Sequence, residues 1–541
     1  ALVLLAGIAL RVALAFPPYK YRDDGDSVLA GMCAERVLAG KYPLFFSPGR
    51  IGALGGYLAA LLFAWFGENR AALAAGPVIV GALQLIVWYL FLRELLGSKL
   101  ALIAVPFAAA LSPAAARWML QPNGYPEIML LCSTTLWLAS RVARGDESHL
   151  TVIGLWLSIG LAGWQSLLTL GCSLPALAWL SWRRPGLWRR RRWLLLATGA
   201  ALLAAFPWIA FHLAVGRGEP QANAVAIRPA PGIPAMVDNL GYVLSHDLRE
   251  LVASTSVSAS WLQTRLLWLV LAVHLAAAVY FFVAAAPAWR GRALLRGPAA
   301  PPLAAAWLLC ALLVLGVVVL KVISSPGGMR GPTERYLLPI ALLVPVMLAV
   351  SCARLARAGA WGKAAAWTLA AAVVVFDLAG VALPGTPVRQ RCAARAVSDE
   401  RLLARLRRER IEAIAGSYWL VYPIDWLSHH RILGPAMEPL HDHYNIAAQI
   451  PDRGLRWALI AGEPDQLRRW TECARLTGLI ETVDPFYSVF RPQPNPPVEP
   501  GPAFLQRVTM AYRFTSLPGP PPGSGCSALP PAAAGTSPQG R

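Results

Sequence analysis

Charged residues are scarce in this chain: Asp, Glu, Lys and Arg make up 14% of its 541 residues, while hydrophobic residues make up 56%. Soluble proteins carry about 25% charged residues, so the composition excludes an ordinary soluble enzyme. Apolar runs of about 16–25 residues recur, and each is long enough to cross a hydrocarbon core of roughly 30 Å. The sequence therefore predicts a mainly α-helical, polytopic membrane protein.

Membrane-spanning helices are predicted throughout residues 1–384, about eleven of them by apolar length. The first begins without an initiator Met, which leaves truncation of the chain open. The spans carry few charges, and polar groups collect at one face of the bundle. The predicted spans are residues 1–16, 72–92, 100–115, 126–141, 150–164, 166–182, 193–214, 262–287, 302–323, 335–352 and 362–382.

The formal charge of +20 does not indicate nucleic acid as a partner, because of where the basic residues lie. With these spans, five short connections rich in Lys and Arg all fall on one side, which the positive-inside rule makes cytoplasmic. The apolar stretch Ile51–Phe66 would invert this pattern if it crossed the bilayer. We interpret it as an interfacial or re-entrant helix in a first outer loop of residues 17–70, with a short true span as the alternative.

Residues 385–515 lack long apolar runs and carry more charge. Their segments IEAIAGSYWLVY, LRWALIAG and FYSVFR have the pattern of strands, and Ser398–Arg410 and Glu463–Thr477 have the pattern of helices. We predict an extracytoplasmic α/β domain here. Residues 516–541 are rich in Pro and Gly, which predicts a disordered tail.

Metal-ligand spacing is absent: the eight cysteines form no CxxC motif. The HDH segment of the C-terminal domain has no second motif at fixed spacing, so we interpret its histidines as surface residues. No cofactor is certain from the sequence, and a divalent metal is left open. The histidines concerned, with one neighbouring acid, are His429, His430, His441, Asp442 and His443.

Three carboxylates, Asp23, Asp24 and Asp26, follow the first apolar stretch directly. Acids at a membrane surface are costly unless they are used, and a carboxylate is a natural base for an acceptor hydroxyl or amine. The alternative is that they cap the next helix, since Asp is favoured at a helix N-terminus. Three acids in four positions exceed what a cap needs, so we predict a catalytic role.

A turn with an acid at its end is predicted in QPNGYPE, residues 121–127. Its Glu127 lies at the lip of a span, where an interfacial acid facing water is the alternative interpretation. We expect Glu127 and Tyr125, together with Tyr336, to position the acceptor or another part of the substrate.

Most basic residues lie in the predicted cytoplasmic connections, but Lys321, Arg330 and Arg335 lie on the outer side. Arg50 adds a further cation in the first outer loop. Arg binds phosphate in a bidentate manner and Lys acts as a point charge. These residues therefore predict a site for an anionic ligand, with nonspecific binding of lipid headgroups as the alternative.

The order of these features resembles the GT-C superfamily of integral-membrane glycosyltransferases. The resemblance is to the subgroup, glycosyltransferase family 39 among them, that contains protein O-mannosyltransferases and aminoarabinose lipid A transferases. Asp26–Ser27–Val28 stands where members carry Asp-Glu-Ala, and the late Arg335–Pro339 segment, RYLLP, is similar to a family feature. Further matching features are PLFF (43–46), Phe66–Gly67 and SYWLVYPIDWLS (417–428).

The resemblance implies a glycosyltransferase that uses a polyprenyl-phosphate sugar as its donor. Asp26 would be the general base, assisted by Asp24, and Arg335 would hold the donor phosphate. The same phosphate would also be bound by Arg50, Lys321 and Arg330. Ser27 replaces the acid that usually follows the Asp, and Asp24 is an additional acid, so the choice of base between the two Asp residues stays open.

Two other classes of protein are alternatives to a glycosyltransferase. One is a transporter or flippase of lipid-linked substrates, which places charges and broken helices near the bilayer midplane. The other is a noncatalytic envelope scaffold. The implied enzyme lies in a bacterial cytoplasmic membrane and acts outside it on an envelope acceptor, which is a lipid, a glycan or a protein.

Overall fold

Most of the chain is described by the computed structural model, and the described part is mainly helical. It forms two compact units: Ala1–Tyr21 with Cys33–Gln390, and Arg22–Met32 with Arg391–Arg541. The predicted tail, residues 516–541, lies outside the described residues. These are residues 2–15, 25–47, 51–214, 232–253, 261–285, 302–324, 334–382, 387–437, 455–474, 476, 478–484, 487–492, 505, 508 and 509.

Helices form at all eleven places where the apolar pattern predicts spans. Two of the eleven are interrupted: residues 100–115 at Leu111 and Ser112, and residues 335–352, where Leu338–Ala341 and Val344–Leu355 follow each other with a bend. The helices of the first unit are Leu2–Ala15, Leu54–Phe66, Arg70–Leu96, Ser98–Ala110, Pro113–Met119, Tyr125–Ala143, His149–Gln165, Leu170–Arg183, Arg191–Ala214, Ile233–Tyr242, Leu248–Ala253, Trp261–Ala285, Pro302–Ser324, the broken pair and Ala360–Ala382.

Local sequence explains several helix ends. Asn69 begins the long helix Arg70–Leu96, and its Oδ1 accepts a hydrogen bond from the N–H of Ala72 at 2.9 Å. Gly97 ends the same helix at φ 87°, a conformation that glycine adopts without strain. Gly124 has φ 85° directly before the helix that starts at Tyr125, so the predicted turn in QPNGYPE is present.

Four helices in the described residues are long and apolar enough to cross a membrane, and the broken pair would make a fifth. They are Arg70–Leu96, Arg191–Ala210, Ala306–Ile323 and Ala360–Ala379. Several other apolar helices are shorter. Leu54–Phe66, at the predicted interfacial stretch, has 13 residues and is about 20 Å long at 1.5 Å per residue.

A two-stranded ribbon precedes the helix Leu54–Phe66. Its strands are β1 (Phe45–Ser47) and β2 (Ile51–Gly52), paired antiparallel. The first unit's core lies between the helices and is built around large buried side chains such as Trp88, Trp118 and Trp179.

The second unit contains a four-stranded sheet in the order β3-β4-β6-β5. β3 and β4 are parallel, and the other two pairings are antiparallel. β3 and β4 are buried along their whole length, which suits strands covered on both faces. The strands are β3 (Ala413–Gly416), β4 (Trp457–Ala461), β5 (Gly478–Asp484) and β6 (Tyr487–Pro492).

One predicted strand of the second unit is wrong in part. The segment IEAIAGSYWLVY supplies β3, but the chain then turns at Ser417 and continues as the helix Tyr418–Leu427. Its bulky residues favour strands by propensity, yet the face formed by Tyr418, Val421 and Tyr422 is buried, so packing overrides propensity. The other helices that contribute to this unit are Gly25–Leu38 in its first part, Pro387–Arg408 and Pro464–Cys473.

Candidate functional site

Asp26 lies in the first turn of the helix Gly25–Leu38, in the part that belongs to the second unit. Its Oδ1 accepts a hydrogen bond from the hydroxyl of Tyr418, with 3.4 Å between the two oxygens. The side chain is half-buried. A helix N-terminus also favours negative charge. Asp26 is therefore a held and partly accessible carboxylate, which is what a general base requires.

Glycines allow the start of this helix to lie directly on the helix that begins at Tyr418. A β-carbon at Gly25 would stand 2.8 Å from Cδ2 of Tyr418, and one at Gly31 would stand 3.0 Å from Nε1 of Trp426. Gly25 meets the beginning of the second helix and Gly31 meets its end, so the two helices run in the same direction. Larger residues would separate them and move Asp26 away from the Tyr418 hydroxyl.

Burial explains the departure from the family motif at Ser27. This residue has no exposed surface, and neither do its neighbours Val28 and Leu29. An acid placed there without a partner would cost several kcal/mol in lost hydration. A small serine fits such a position at lower cost. Asp26, one position earlier, is then the acid that this motif retains.

Cations and aromatic rings meet in the first unit, in what we name the cation–aromatic cluster: Arg117, Trp118, Lys321, Arg335 and Tyr336. The guanidinium carbon of Arg335 lies 5.1 Å from the ring centroid of Trp118 and 5.2 Å from that of Tyr336. Lys321 Nζ lies 5.0 Å from the Tyr336 ring, and the Arg117 guanidinium lies 4.9 Å from the Trp118 ring. All four distances are within the range of cation–π attraction.

Two short elements hold this cluster together. The 3₁₀ turn Glu334–Leu337 presents Arg335 and Tyr336, and the helix Pro113–Met119 presents Arg117 and Trp118. The indole N–H of Trp118 donates to Glu334 Oε1 at 3.1 Å and so ties the two elements to each other. Arg335 Nη2 also donates to the Tyr336 hydroxyl at 3.3 Å. The cations are thus held at fixed positions.

Carboxylates also lie near the cations of the cluster. Lys321 is buried, and the carboxylates of Asp247 and Glu334 are close enough to interact with its charge. Arg and Lys groups in this arrangement suit an anion such as phosphate.

Tyr125 reaches the cation–aromatic cluster, whereas Glu127 points elsewhere. The Tyr125 ring lies 5.4 Å from the Trp118 ring. Glu127 is buried against the start of the helix Leu54–Phe66, where a β-carbon at Gly55 would stand 2.9 Å from its Oε1. Its Oε2 and Nδ2 of the neighbouring Asn123 have no hydrogen-bond partner within the described part of the chain.

Comparison with known proteins identifies the fold. Residues 52–211 match the family model for dolichyl-phosphate-mannose-protein mannosyltransferase. The structure of ArnT from Cupriavidus metallidurans bound to undecaprenyl phosphate is similar at TM-score 0.58 and 13% identity, covering 90% of this chain and 97% of that chain. The chain therefore has a fold like that of the ArnT structure. The resemblance predicted from the sequence is confirmed.

Two further structures are similar to this chain. ArnT from Cupriavidus metallidurans in the apo state gives a TM-score of 0.57 at 14% identity, again over 90% of this chain and 97% of that chain. The oligosaccharyltransferase of Archaeoglobus fulgidus in the apo form gives 0.49 at 14% identity, over 94% of this chain and 77% of that chain. No curated protein matches the chain in sequence.

The predicted site residues of this chain fall into separate groups. The cation–aromatic cluster holds or adjoins four of them: Lys321, Arg335, Tyr336 and Tyr125. Glu127 lies in a buried polar position of the same unit, and Asp26 belongs to the second unit. Asp24, Arg50 and Arg330, with their predicted roles, lie outside the described residues.

Sequence reasoning missed Arg117, Trp118 and Tyr418. A signal existed for the first two, since a charged and an aromatic residue stand in the same connection as the QPNGYPE turn. Tyr418 stands in the family-like segment SYWLVYPIDWLS, but nothing in that segment pairs it with Asp26, from which it is 392 positions distant in the chain.

Ionisable groups also meet inside the helical bundle, where the sequence led us to expect few charges. Arg11, His274 and Asp377 line one cavity of about 50 Å³ together with Gln84. Arg11 Nη1 and Nη2 donate to the carbonyls of Gly81 at 2.5 Å and Ala108 at 2.9 Å. Buried ionisable residues in a membrane protein are costly and usually mark a structural or functional site.

The histidines at the end of the helix Tyr418–Leu427 have a local role. His430 Nδ1 lies 2.6 Å from Oδ1 of the buried Asp425, and both His429 and His430 have positive φ, at 54° and 57°. In the described ranges, no group of three His, Cys, Asp or Glu side chains is placed to hold a metal ion. His441, Asp442 and His443 lie outside those ranges.

Proposed function

We propose that this chain is an inverting membrane glycosyltransferase that moves a sugar from a polyprenyl-phosphate donor to an envelope acceptor. The observation that carries the proposal is the cation–aromatic cluster, with three cations around two rings. The GT-C fold supports it, as does the similar ArnT structure with undecaprenyl phosphate bound. The positive-inside pattern favours a reaction at the extracytoplasmic face of a bacterial cytoplasmic membrane.

The cluster would act on the leaving group. As the bond between the anomeric carbon and the phosphate oxygen breaks, negative charge grows on the lipid phosphate. Arg335 and Lys321, with Arg117 beside them, would stabilise that charge and so lower the barrier. The rings of Trp118 and Tyr336 keep the cations in place before the donor arrives, so little reorganisation is needed during the reaction.

Asp26 would act on the acceptor. Its carboxylate takes the proton from the acceptor hydroxyl or amine as the acceptor atom attacks the anomeric carbon from the side opposite the phosphate. The products are the glycosylated acceptor, polyprenyl phosphate and a protonated Asp26. A single displacement of this kind inverts the anomeric centre. Asp24 remains the alternative base, and Tyr125, Tyr336 and Glu127 are proposed to position the substrate.

One observation favours the competing function of a lipid-substrate transporter or flippase. Arg11, His274 and Asp377 line a cavity among the helices, and the helix pair after Glu334 is bent by 41°; transporters commonly combine such features. Movement of a labelled polyprenyl-phosphate sugar across proteoliposomes, without transfer to an acceptor, would favour this function.

The test is sugar transfer from a panel of radiolabelled polyprenyl-phosphate sugars, with purified full-length protein and membrane extract as the acceptor. We expect wild type to transfer one donor sugar, and both Asp26→Asn and Arg335→Gln to lose at least a hundredfold in kcat/KM. Arg357→Gln, at an exposed arginine, is the matched control and should keep full activity.

Three outcomes would contradict parts of the proposal. Equal transfer by wild type and Asp26→Asn would exclude Asp26 as the base and direct attention to Asp24. Equal losses in Arg335→Gln and Arg357→Gln would remove the cluster from the mechanism. Retention of the donor's anomeric configuration, determined by NMR of the product, would exclude a single displacement.

A further inference from the structure

Tyr418 is a buried side chain that is packed between other aromatic rings at the start of its helix. It is the first residue of its helix and follows the carboxyl end of β3, one residue beyond Ser417. Its ring is buried, with the rings of Trp419 at 4.3 Å and Tyr422 at 6.1 Å. Polar groups beyond the carboxyl ends of parallel strands commonly form sites in α/β folds, and β3 is parallel to β4.

The hydroxyl of this buried ring is directed at the proposed base. It donates to Asp26 Oδ1 at 3.4 Å, near the long end of the range for a hydrogen bond. Catalytic hydrogen bonds are often long before the substrate is bound. Because Gly25 and Gly31 let the two helices touch, the separation of the two oxygens is set by backbone packing.

We propose that Tyr418 is a positioning residue for the Asp26 carboxylate. This inference rests on the proposed function. The Tyr418 hydroxyl engages Oδ1 of the carboxylate and so restricts the rotation of the Asp26 side chain. In general, a hydroxyl donor interacts more strongly with a charged carboxylate, the form that accepts a proton, than with a neutral one.

The first experiment compares Tyr418→Phe with wild type in the transfer assay. The ring stays and the hydroxyl is removed, so we expect unchanged KM for the donor, kcat lower by about tenfold, and an acid limb of the pH–rate profile moved up by about one pH unit. Tyr422→Phe is the matched control. It removes a hydroxyl from another buried tyrosine of the same helix and should leave the pH–rate profile in place.

The second experiment does not need activity. A double-mutant cycle of Tyr418→Phe and Asp26→Asn is measured by thermal unfolding of the full chain in detergent. If the two side chains interact, the loss in Tm of the double variant is smaller than the sum of the single losses. Additive losses would mean that the hydroxyl and the carboxylate do not interact, and would overturn the inference.

Failure of the inference differs from failure of the proposed function. An active wild type and an inactive Asp26→Asn, together with an unchanged kcat and acid limb in Tyr418→Phe, would overturn the role of Tyr418 alone. The same shift in Tyr422→Phe would also overturn it, because the effect would then be a general one of the helix. A wild type that transfers no sugar from any donor would count against the proposed function, while the cycle still tests the contact.

Discussion

Arg11 of the first unit and Arg491 of the second have opposite kinds of hydrogen-bond partner. Arg11, in the helical bundle, is 2% exposed, and its partners are neutral: the carbonyls of Gly81 and Ala108 and the side-chain oxygen of Gln84 at 2.8 Å. Arg491, on the sheet of the second unit, is partly exposed and binds the carboxylates of Glu409 and Glu481 at 3.2 and 2.5 Å. Neutral oxygens accept from the buried arginine, and ionised oxygens pair with the one that water reaches, which is the cheaper place for an ion pair.

The bundle can supply neutral oxygens because helices end inside it. Ala108 lies in the last turn of Ser98–Ala110, where carbonyls have no partner within the helix. Arg11 therefore completes the hydrogen bonding of another helix while its own charge is accommodated. Burial and the kind of partner therefore predict how much free energy of unfolding each charged group and its partners contribute.

The largest effect is expected at Arg11. Arg11→Leu removes hydrogen bonds to two helices and leaves Gln84 Oε1 and the Ala108 carbonyl without this donor. We expect a loss of about 3–5 kcal/mol in the free energy of unfolding, because each buried oxygen that loses its donor costs about 1–3 kcal/mol and the bonds to a charged group are lost as well. Unfolding in mixed micelles with increasing SDS measures it. The exposed Arg357→Leu should change stability by less than about 0.5 kcal/mol, and equal losses would contradict the comparison.

An intermediate effect is expected at the buried ion pair of the second unit. Asp399 lies 3.1 Å from Arg395 Nε, accepts a hydrogen bond from the Tyr487 hydroxyl, and is 2% exposed. Asp399→Asn would remove a buried counter-ion of Arg395 at a cost of about 3 kcal/mol, read from the thermal unfolding transition of the full chain.

The control for this pair is Asp465→Asn. Asp465 also pairs with an arginine, Arg468, at 2.8 Å, but both side chains are more than 60% exposed. Exposed pairs contribute about 0–1 kcal/mol. If both Asn variants lost the same stability, burial would not be what distinguishes the two pairs.

The smallest effect is expected at Glu481, and it depends on pH. The hydrogen bond from Arg405 holds the pKa of Glu481 below its ordinary value of 4.5. Its contribution is therefore fully present above about pH 4.5 and is lost as the pH falls through the lowered pKa of the folded state. Because the side chain is 41% exposed, solvent screening limits this contribution to about 0.5 kcal/mol.

Glu481→Gln isolates this contribution. The difference in Tm between wild type and Glu481→Gln should be small at pH 7 and should shrink as the pH is lowered below 4.5. A difference that grows toward low pH would have the wrong sign for a carboxylate with a lowered pKa.

The local sequence pattern predicts where the helices lie, but it does not predict which side chains meet in the candidate site. Apolar length predicted the helix positions, because each helix of a membrane bundle must satisfy its own backbone hydrogen bonds. Arg335 and Tyr336 were predicted as functional by the motif they share. Their partner Trp118 is 216 positions from Glu334, to which it donates, and no period or spacing in the sequence encodes such a meeting.

The segment after Gly416 shows the other limit. Tyr418, Trp419 and Val421 have high strand propensity, so the strand was predicted to continue past β3. The structure has a helix there, and the first two turns of Gly25–Leu38 pack against it through Gly25 and Gly31. Packing against a segment so distant in the chain decides the local structure, and the same packing gives Asp26 its partner.

The contact between Asp26 and Tyr418 also has a consequence in time. The two residues are 392 positions apart, and ribosomes add about 5–20 residues per second. Asp26 therefore waits roughly 20–80 s, while nearly every helix of the bundle is synthesised, before Tyr418 exists. A nascent chain therefore cannot form this contact until all helices of the first unit have been synthesised.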